Sequence, residues 1–383
     1  MVDRLAVSRR VLTGALALML LSACSGVAAA EATPRAHTVS PLGHSIVFSR
    51  FLPGAGQGDV YRIDAGGSVE HLIRSGVLDF ALLSPDGTQF TDFAPAPDGR
   101  GSAAVFNVDG SGYRVLPIPD PTLQLSGGTW SAGDSRIASS ASTGAGTPRD
   151  LYSRRSSDGG GLIRLTDAGT RADYPIQSSP DGSKLLFFRP DAKNQTSDSA
   201  PQDLFVVGAD GSGLTRLTPP GVTTAVVFSY DSVSWSPDGT EVAVAAANGP
   251  FWNTTIHAVY IASADGSSFE RIGPRGNIWD AVWSADGRWI AFSMASRATH
   301  GLFELYLMHP DGSGVQQLTS GTNGLFSLHP TWSPNSDQLL FVRGTSDVNL
   351  TDIWSINVDG SHLYQVTHQP ANYGNGEALA WLP

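Results

Sequence analysis

Cysteine is almost absent from this sequence of 383 residues, because Cys24 is the only one. A single cysteine excludes an intramolecular disulfide and every zinc site that needs two or four thiolates. Charged residues are also scarce, at 15% of the chain. With little of the charge pairing typical of helices, and with 43 glycines and 24 prolines to form turns, the chain is expected to be all-β.

Basic clusters and the common catalytic motifs are missing too. The formal net charge is −11, and no run of Lys or Arg stands out after Arg10, so we expect no nucleic-acid partner. The sequence contains no Gly-x-Ser-x-Gly elbow, no His-Glu-x-x-His and no phosphate-binding Gly-Lys-Ser/Thr loop. Serine hydrolases of the elbow type, zinc peptidases and nucleotide hydrolases are therefore not indicated.

The first residues read as an export signal. Arg4, Arg9 and Arg10 precede an apolar run over 11–21, which is too short for an ordinary spanning helix and typical of a signal peptide. The run ends in Leu21-Ser22-Ala23-Cys24, which resembles the bacterial lipobox. This resemblance implies cleavage before Cys24 and lipid attachment to its thiol. We expect a signal peptide over 1–23, a flexible tether over 24–39, and lipid anchoring to a bacterial membrane on its periplasmic or extracellular face.

Two alternatives concern this leader. An ordinary secretory signal would be cut near Ala28-Ala29-Ala30 instead. Ser8-Arg9-Arg10-Val11-Leu12 also resembles a twin-arginine signal, which leaves the export route open.

A repeated turn organises the rest of the chain. Ser-Pro-Asp-Gly or a variant begins at residues 40, 84, 131, 179, 236, 284 and 333, often after Trp, at intervals typical of propeller blades. Proline sets φ at the second turn position, and glycine accepts positive φ at the fourth. An apolar strand, a variable loop, a strand that begins with an acid, and an Asp-Gly turn follow, as in Leu185–Phe188, Asp203–Phe205 and Asp210–Gly211.

Each unit therefore predicts a four-stranded antiparallel blade, with strands A to D, and residues 40–383 predict a seven-bladed β-propeller. The first unit lacks strand A, whereas Glu377–Trp381 near the other end reads as a strand A without its turn. We expect this C-terminal strand to pair beside residues 45–50 and close the first blade, which removes an exposed edge. The tryptophans that end strand A are expected in the core.

The motifs of each unit follow an order that resembles the TolB-type (WD40-like, PD40) propeller repeat. In that order they are Trp-Ser-Pro-Asp-Gly, Ile-Ala-Phe, Asp-Leu-Tyr, Asp-Gly-Ser-Gly and Leu-Thr. The resemblance covers about 40–383 and implies the fold more strongly than a function. The TolB protein itself has six blades and a separate N-terminal domain, whereas this chain shows seven units after a tether. That departure sets the chain apart from a TolB role in the Tol–Pal envelope system.

The two ends of the blades differ in regularity. The A–B and C–D turns share one end, here called the turn face, and the irregular B–C and D–A connections form the opposite loop face, where function is expected. Carboxylates recur where strand A begins, and we predict that they rim the mouth of the central channel as candidate ligand-binding residues together with His329: Asp79, Asp173, Asp231, Asp280 and Glu377. The alternative is that they bond to loop amides and neighbouring blades.

Histidines fall on the same face: His257, His300, His329 and His368. Imidazoles beside carboxylates are metal-ligand chemistry, so these four are candidates for a divalent cation, although no cofactor is predicted. The resemblance adds that some seven-bladed TolB-like lyases that act on pectin fragments use a histidine-based metal centre over the channel. The alternative is four unrelated surface histidines. Aromatic residues here either stack on sugars or peptides or cap the blades, among them Trp279 and Phe326.

The leading hypothesis is a non-catalytic, monomeric binding module that recognises a protein, a peptide or a glycan of the cell envelope. It depends on the missing catalytic motifs and the variable loops. The rival is a metal-assisted carbohydrate-active enzyme, a lyase or a hydrolase, with its site over the central channel.

Replacing Cys24 tests the lipid anchor. Cys24→Ala removes the thiol that accepts the lipid, so the protein is expected to move from the membrane fraction to the soluble fraction on cell fractionation. Unchanged membrane retention would reject the lipobox interpretation.

Overall fold

The described part of the chain consists of residues 42–51, 57–78, 81–144, 148–190, 202–224, 232–248, 257–295, 299, 301–321, 324–345, 351–368 and 379–382 of a computed structural model. Five predicted site residues lie outside these ranges: Cys24, Asp79, Asp231, His300 and Glu377. Apart from a 3-10 turn at Gly133–Ser135, the regular elements of the described residues are β-strands, which confirms the all-β prediction. No helix in these ranges has the length and apolar character needed to cross a membrane.

The strands form antiparallel four-stranded blades, and five sheets contain four strands each. Sheet 1 pairs β29 (Leu379–Trp381), β1 (Ile46–Arg50), β2 (Gly58–Ile63) and β3 (Glu70–Val77) in that order. Sheet 2 contains β4 (Leu82–Leu83), β5 (Gln89–Pro95), β6 (Gly101–Asn107) and β7 (Arg114–Val115). Sheet 3 contains β8 (Gln124–Ser131), β9 (Arg136–Ser142), β10 (Asp150–Arg155) and β11 (Ile163–Arg164). Sheet 4 contains β12 (Tyr174–Ser178), β13 (Lys184–Pro190), β14 (Gln202–Gly208) and β15 (Thr215–Arg216).

The next sheet is larger, because one long strand joins two meanders. Sheet 5 has nine strands: β16 (Val222–Thr224), β17 (Val233–Trp235), β18 (Glu241–Asn248), β19 (His257–Ser263), β20 (Phe269–Ile278), β21 (Val282–Trp283), β22 (Ile290–Ala295), β23 (Phe303–Met308) and β24 (Gln316–Gln317). The start of β20 pairs with β19 and its end pairs with β22. Sheet 6 contains β25 (Phe326–Trp332), β26 (Gln338–Gly344), β27 (Thr351–Asn357) and β28 (Tyr364–Gln365).

The C-terminal strand completes the first sheet, as expected from the sequence. Trp381 pairs with Ile46 and Leu379 with Phe48 in the antiparallel register of β29 and β1. The Leu382 N–H also donates to the Ser45 carbonyl at 2.8 Å. Sheet 1 therefore joins the two ends of the described chain.

The Ser-Pro-Asp-Gly turn is held by its own side chains. The Ser179 hydroxyl donates to Asp181 Oδ1 at 2.7 Å and accepts from the Lys184 N–H at 2.9 Å. Gly182 has φ +72°, which a residue with a side chain rarely adopts. These bonds, first among them the one from Ser179, lower the pKa of Asp181 to about 2. The repeated serine and aspartate thus serve the turn itself.

The glycine of the second repeated turn, Asp-Gly, also has a structural reason. Gly110 has φ +84°, and a Cβ atom there would lie 2.3 Å from the Ile73 carbonyl oxygen of sheet 1. A Cβ atom on Gly312 would likewise lie 2.6 Å from the backbone nitrogen of Gly273. These two Asp-Gly turns therefore approach the preceding meander too closely for a side chain.

An acid and a threonine lock strands C and D together. In sheet 5, Thr319 Oγ1 donates to Glu304 Oε2 at 2.6 Å and accepts from the Leu305 N–H at 2.9 Å. In sheet 6, Thr367 bonds to Asp352 and Ile353 in the same way. This lock accounts for the acid that begins strand C and for the Leu-Thr pair in strand D.

The tryptophans that end strand A connect neighbouring meanders. The indole Nε1 of Trp130 donates to the Leu82 carbonyl at 3.0 Å, and that of Trp332 to the Val282 carbonyl at 2.9 Å. Trp235 and Trp381 donate likewise to carbonyls of the preceding sheet. All four indoles are buried, which confirms the core prediction. Trp283 differs, since its Nε1 donates at 3.3 Å to Gly287 of its own turn.

Trp332→Phe and Trp283→Phe form a matched pair of tests. Both side chains are 8% exposed, so the two substitutions remove similar buried volume, but only Trp332→Phe breaks a bond between meanders. Each substitution also removes one indole hydrogen bond, but the bond of Trp283 is longer, at 3.3 Å, and stays within its own turn. We therefore expect Trp332→Phe to lower the free energy of unfolding more than Trp283→Phe in urea titration, by at most about 1 kcal/mol. Equal losses would show that the indole bond between meanders contributes nothing beyond packing.

Candidate functional site

Five predicted site residues fall within the described ranges, and they do not form one cluster. Asp173 and Asp280 are fully buried where inner strands begin, and His257 and His329 are 4% and 6% exposed. His368 is exposed after β28, where it acts electrostatically on Asp352. Two of the four histidines are therefore core residues rather than surface residues.

Asp173 belongs to a closed ion pair. Its two carboxylate oxygens accept from Nε and Nη2 of Arg189, each at 2.6 Å, and Arg189 is only 4% exposed. The Asp173 N–H donates to the Arg149 carbonyl, and its own carbonyl accepts from the Ser140 hydroxyl. This carboxylate thus satisfies the alternative stated for the acidic residues, namely bonds to its neighbours.

Asp280 and His329 form the contact that crosses from sheet 5 to sheet 6. Asp280 Oδ2 accepts from the Ser293 hydroxyl and, at 3.1 Å, from the His329 N–H. Asp280 Oδ1 lies 3.2 Å from His329 Nδ1. That second contact does not have hydrogen-bond geometry, so we treat it as electrostatic. One buried carboxylate therefore holds both the backbone and the ring of His329.

The backbone of His329 is unusual for a strand. Its φ is +57°, in the left-handed region, and the register of β25 shifts between Leu328 and Thr331. Residues other than glycine adopt this region at a cost, and such strained residues cluster at functional sites. The bulge turns the imidazole toward Asp280 instead of leaving it in the regular alternation of the strand.

His257 joins the same region from β19. Its Nδ1 lies 3.1 Å from the carbonyl oxygen of Ile278, two residues before Asp280. A carbonyl oxygen can only accept, so Nδ1 carries the hydrogen and Nε2 of the neutral ring has the lone pair. The His329 ring also directs Nδ1 toward an oxygen, Asp280 Oδ1, but without a hydrogen bond. His257 thus has the donated ring N–H that is typical of metal-binding histidines, and His329 shares its orientation only.

The two histidines differ in their relation to the repeat. His257 lies one residue before the position where strand C elsewhere has an acid, such as Glu304, and Ala258 occupies that position. His329 occupies the repeat position of Asp280. Aligning the repeats therefore picks out His329 but not His257. Sequence reasoning missed Ser293, whose role depends on the direction of its side chain in β22.

An apolar wall lies beside the network. Phe303, Phe326 and Leu328 form a buried cluster against which Trp279 packs, with the Trp279 and Phe303 ring centroids 5.0 Å apart. Trp279 and Phe326 thus cap the strand ends, one of the two roles expected for them. In the described ranges, no three His, Cys, Asp or Glu side chains are placed to hold a metal ion together.

Comparison with known proteins gives a fold and a family. A family model described as TolB beta propeller domain matches residues 177–383. No curated protein matches the chain.

Several solved structures are similar. The β-propeller domain of the Trilobed protease from Pyrococcus furiosus has a TM-score of 0.59 at 10% identity, covering 86% of this chain and 96% of that one. Oligogalacturonate lyase from Vibrio parahaemolyticus has a TM-score of 0.58 at 14% identity, covering 84% and 96%. TolB from Acinetobacter baumannii has a TM-score of 0.47 at 16% identity, covering 88% and 83%. At these identities, the first two show a shared propeller fold and nothing about chemistry.

Removing the Asp173 charge tests the closed ion pair. Asp173→Asn leaves the buried Arg189 without a counter-charge, so we expect the free energy of unfolding in urea to fall by about 3–5 kcal/mol. Asp167→Asn is the control, because its exposed carboxylate pairs with a half-exposed Arg164 and should change stability little. The double variant Asp173→Leu with Arg189→Met should recover most of the loss. A cost no larger than that of Asp167→Asn would contradict the assignment.

Proposed function

Because this chain belongs to the TolB β-propeller domain family, we propose that it is an exported seven-bladed propeller and binds a protein, a peptide or a glycan of the cell envelope. The binding surface is the loop face around His257, Asp280 and His329. The module catalyses no reaction, and its membrane attachment is the lipid on Cys24.

The composition of sheet 5 supports the proposed blade count. Strands β16 to β20 supply one A-to-D meander, in which β16 and β17 share the inner position beside β18. The end of β20 with β21 supplies the inner position of the next meander, beside β22. Two blades from this sheet and one from each of the five other sheets account for seven.

The observation that carries the binding proposal is the contact of Asp280, just before β21, with His329 in β25, together with the bond of His257 to Ile278, two residues before Asp280. Elsewhere in the described fold, the repeated polar residues serve turns, strand locks or ion pairs. His329 departs from that pattern at the loop end of its blade, where it adopts a strained backbone beside Asp280. Local departures of this kind, held in place by a regular scaffold, are where function is expected.

Affinity recovery from the host tests this proposal. The full-length protein, tagged after Pro383 through a flexible linker, is solubilised and incubated with envelope extract, and bound protein and glycan are quantified. His329→Ala should lose the bound partner by about tenfold, as expected for loss of a central contact. His71→Ala is the control, because the His71 side chain is 58% exposed and lies in β3, outside the network. A partner retained equally by both variants, or no partner for the wild type, would overturn the proposal.

The second candidate is a metal-assisted carbohydrate-active enzyme. The orientation of the two imidazoles favours it, because His257 and His329 both direct Nδ1 to an oxygen of the protein. His257 and His329 would supply nitrogen ligands, and a bound divalent cation would supply Lewis acidity toward a sugar substrate.

Metal analysis separates the two candidates. Protein purified without chelators is measured by mass spectrometry for divalent metals and assayed for cleavage of oligogalacturonate, the substrate named for the lyase of similar fold. About one equivalent of metal that disappears in His257→Ala and His329→Ala but not in His71→Ala, together with product formation, would favour the enzyme. Metal-free protein without product would leave the binding module as the function.

A further inference from the structure

Three arginines occupy one position of the repeat. Each lies ten residues after the motif serine, at the loop end of strand B, and its guanidinium stacks over the aromatic ring of strand C. The pairs are Arg50 over Tyr61 at 4.5 Å, Arg189 over Phe205 at 4.9 Å and Arg343 over Trp354 at 5.4 Å. The same scaffold thus fixes three guanidinium groups in comparable surroundings.

Two of these arginines have a carboxylate partner. Arg189 binds both oxygens of Asp173 at 2.6 Å, and Arg50 Nη2 lies 2.6 Å from Glu70 Oε1. Because buried guanidinium groups are stable only when paired and hydrogen-bonded, these contacts are what the position requires.

Arg343 has the same stacked arrangement over an aromatic ring, but no carboxylate partner among the described residues. It is 5% exposed, and its Nη2 donates to the Ser320 carbonyl at 2.9 Å. Its Nε and Nη1 have no hydrogen-bond partner among the residues that the structure describes. Ser327 pairs with Arg343 across β25 and β26 and is fully buried, and its hydroxyl has no partner in the same ranges either. Because paired residues of antiparallel strands project to the same face of the sheet, these two side chains with unused polar atoms are neighbours on one face.

Glu304 is the neighbouring acid, but it is committed elsewhere. It attracts Arg343 electrostatically without forming an ion pair with it. Its Oε2 accepts from Thr319 in the lock between strands C and D, and Gly321 packs so closely that a Cβ there would lie 2.4 Å from Oε1. Burial raises the pKa of Glu304. Glu304 thus neighbours Arg343 without an ion pair, with Oε2 engaged by Thr319 and Oε1 without a hydrogen-bond partner in the described ranges.

We propose that Arg343, assisted by Ser327, binds a carboxylate group of the ligand that the loop face takes. The Nε–H of Arg343 and the neighbouring Ser327 hydroxyl can each donate to one carboxylate oxygen, and Arg189 shows with Asp173 that a guanidinium at this position binds a carboxylate through Nε. The inference deepens the proposed function by giving its ligand an acidic group, and it rests on that function only for the identity of the whole ligand. The binding of a carboxylate by Arg343 can be measured by itself.

Arginine side-chain NMR on the full-length protein in detergent tests the site. The ¹⁵Nε–H resonances of Arg343 and Arg189 are followed during titration with sodium acetate at constant ionic strength, with acetamide and sodium chloride as neutral and anionic controls. We expect a saturable shift of Arg343 with acetate alone, and none of Arg189, whose donors Asp173 already occupies. Arg343→Lys should weaken acetate binding by about tenfold, measured through the backbone N–H of Ser327, because lysine has no donor at the position of Nε. No saturable shift of Arg343, or an equal shift with chloride, would overturn the proposal.

Glu304→Gln provides the opposing variant. If Arg343 is the binding group, removing the neighbouring negative charge should tighten acetate binding severalfold, roughly the effect of one nearby like charge. If Glu304 is instead the working partner of Arg343, the substitution leaves acetate binding unchanged or weaker, which contradicts the proposal. Acetate binding at Arg343 in a protein that recovers no envelope partner would overturn the proposed partner and leave the carboxylate site intact.

Discussion

The hydrogen bond from an indole to the backbone of the preceding meander is the contact on which the ring depends. Antiparallel sheets of four short strands are marginal by themselves, because each has two apolar faces that must be covered. Tryptophan covers such a face with its indole ring, and its one polar atom, Nε1, donates to a carbonyl in the inner strand of the preceding meander. Trp332 does this between sheets 5 and 6, and Trp381 does it between sheets 6 and 1. The close approach of Gly110 and Gly312 adds a second contact of the same kind at the outer edge.

A scaffold held in this way tolerates exceptions at the end where its connections are irregular. Strand locks such as Thr319 with Glu304 use the repeated acid for structure. In β19 that position is Ala258, and the strand is instead held by its long partner β20. The residue before it, His257, bonds to Ile278, two residues before Asp280. Stability and the proposed recognition therefore use adjacent positions of the repeat.

Much of this fold could be predicted from the spacing of one turn. Proline, aspartate and glycine at fixed positions determine local backbone angles, so strand ends and the pairing of β29 with β1 follow from sequence. The geometry of the candidate site was harder to predict from the sequence, because it depends on the directions of side chains that lie far apart along the chain. The alternation of strands does not reveal the bulge at His329, and nothing local indicates that Asp173 would be closed off by Arg189. Burial of His257 was missed for the same reason, since its cover comes from Ile278 in a different strand.

The pairing of Ile46 with Trp381 has a consequence for the order of folding. The two residues are more than 300 positions apart. The entropy cost of closing that loop must therefore be met before the contact can stabilise the fold. The other meanders are local in sequence and can form early, whereas sheet 1 must wait for the last strand of the chain. Until that strand arrives, β1 has one open side and Thr331 lacks its indole donor. The slowest step of folding should therefore be the joining of β29 to β1, and a nascent chain cannot complete sheet 1 until Leu379–Trp381 have left the ribosome.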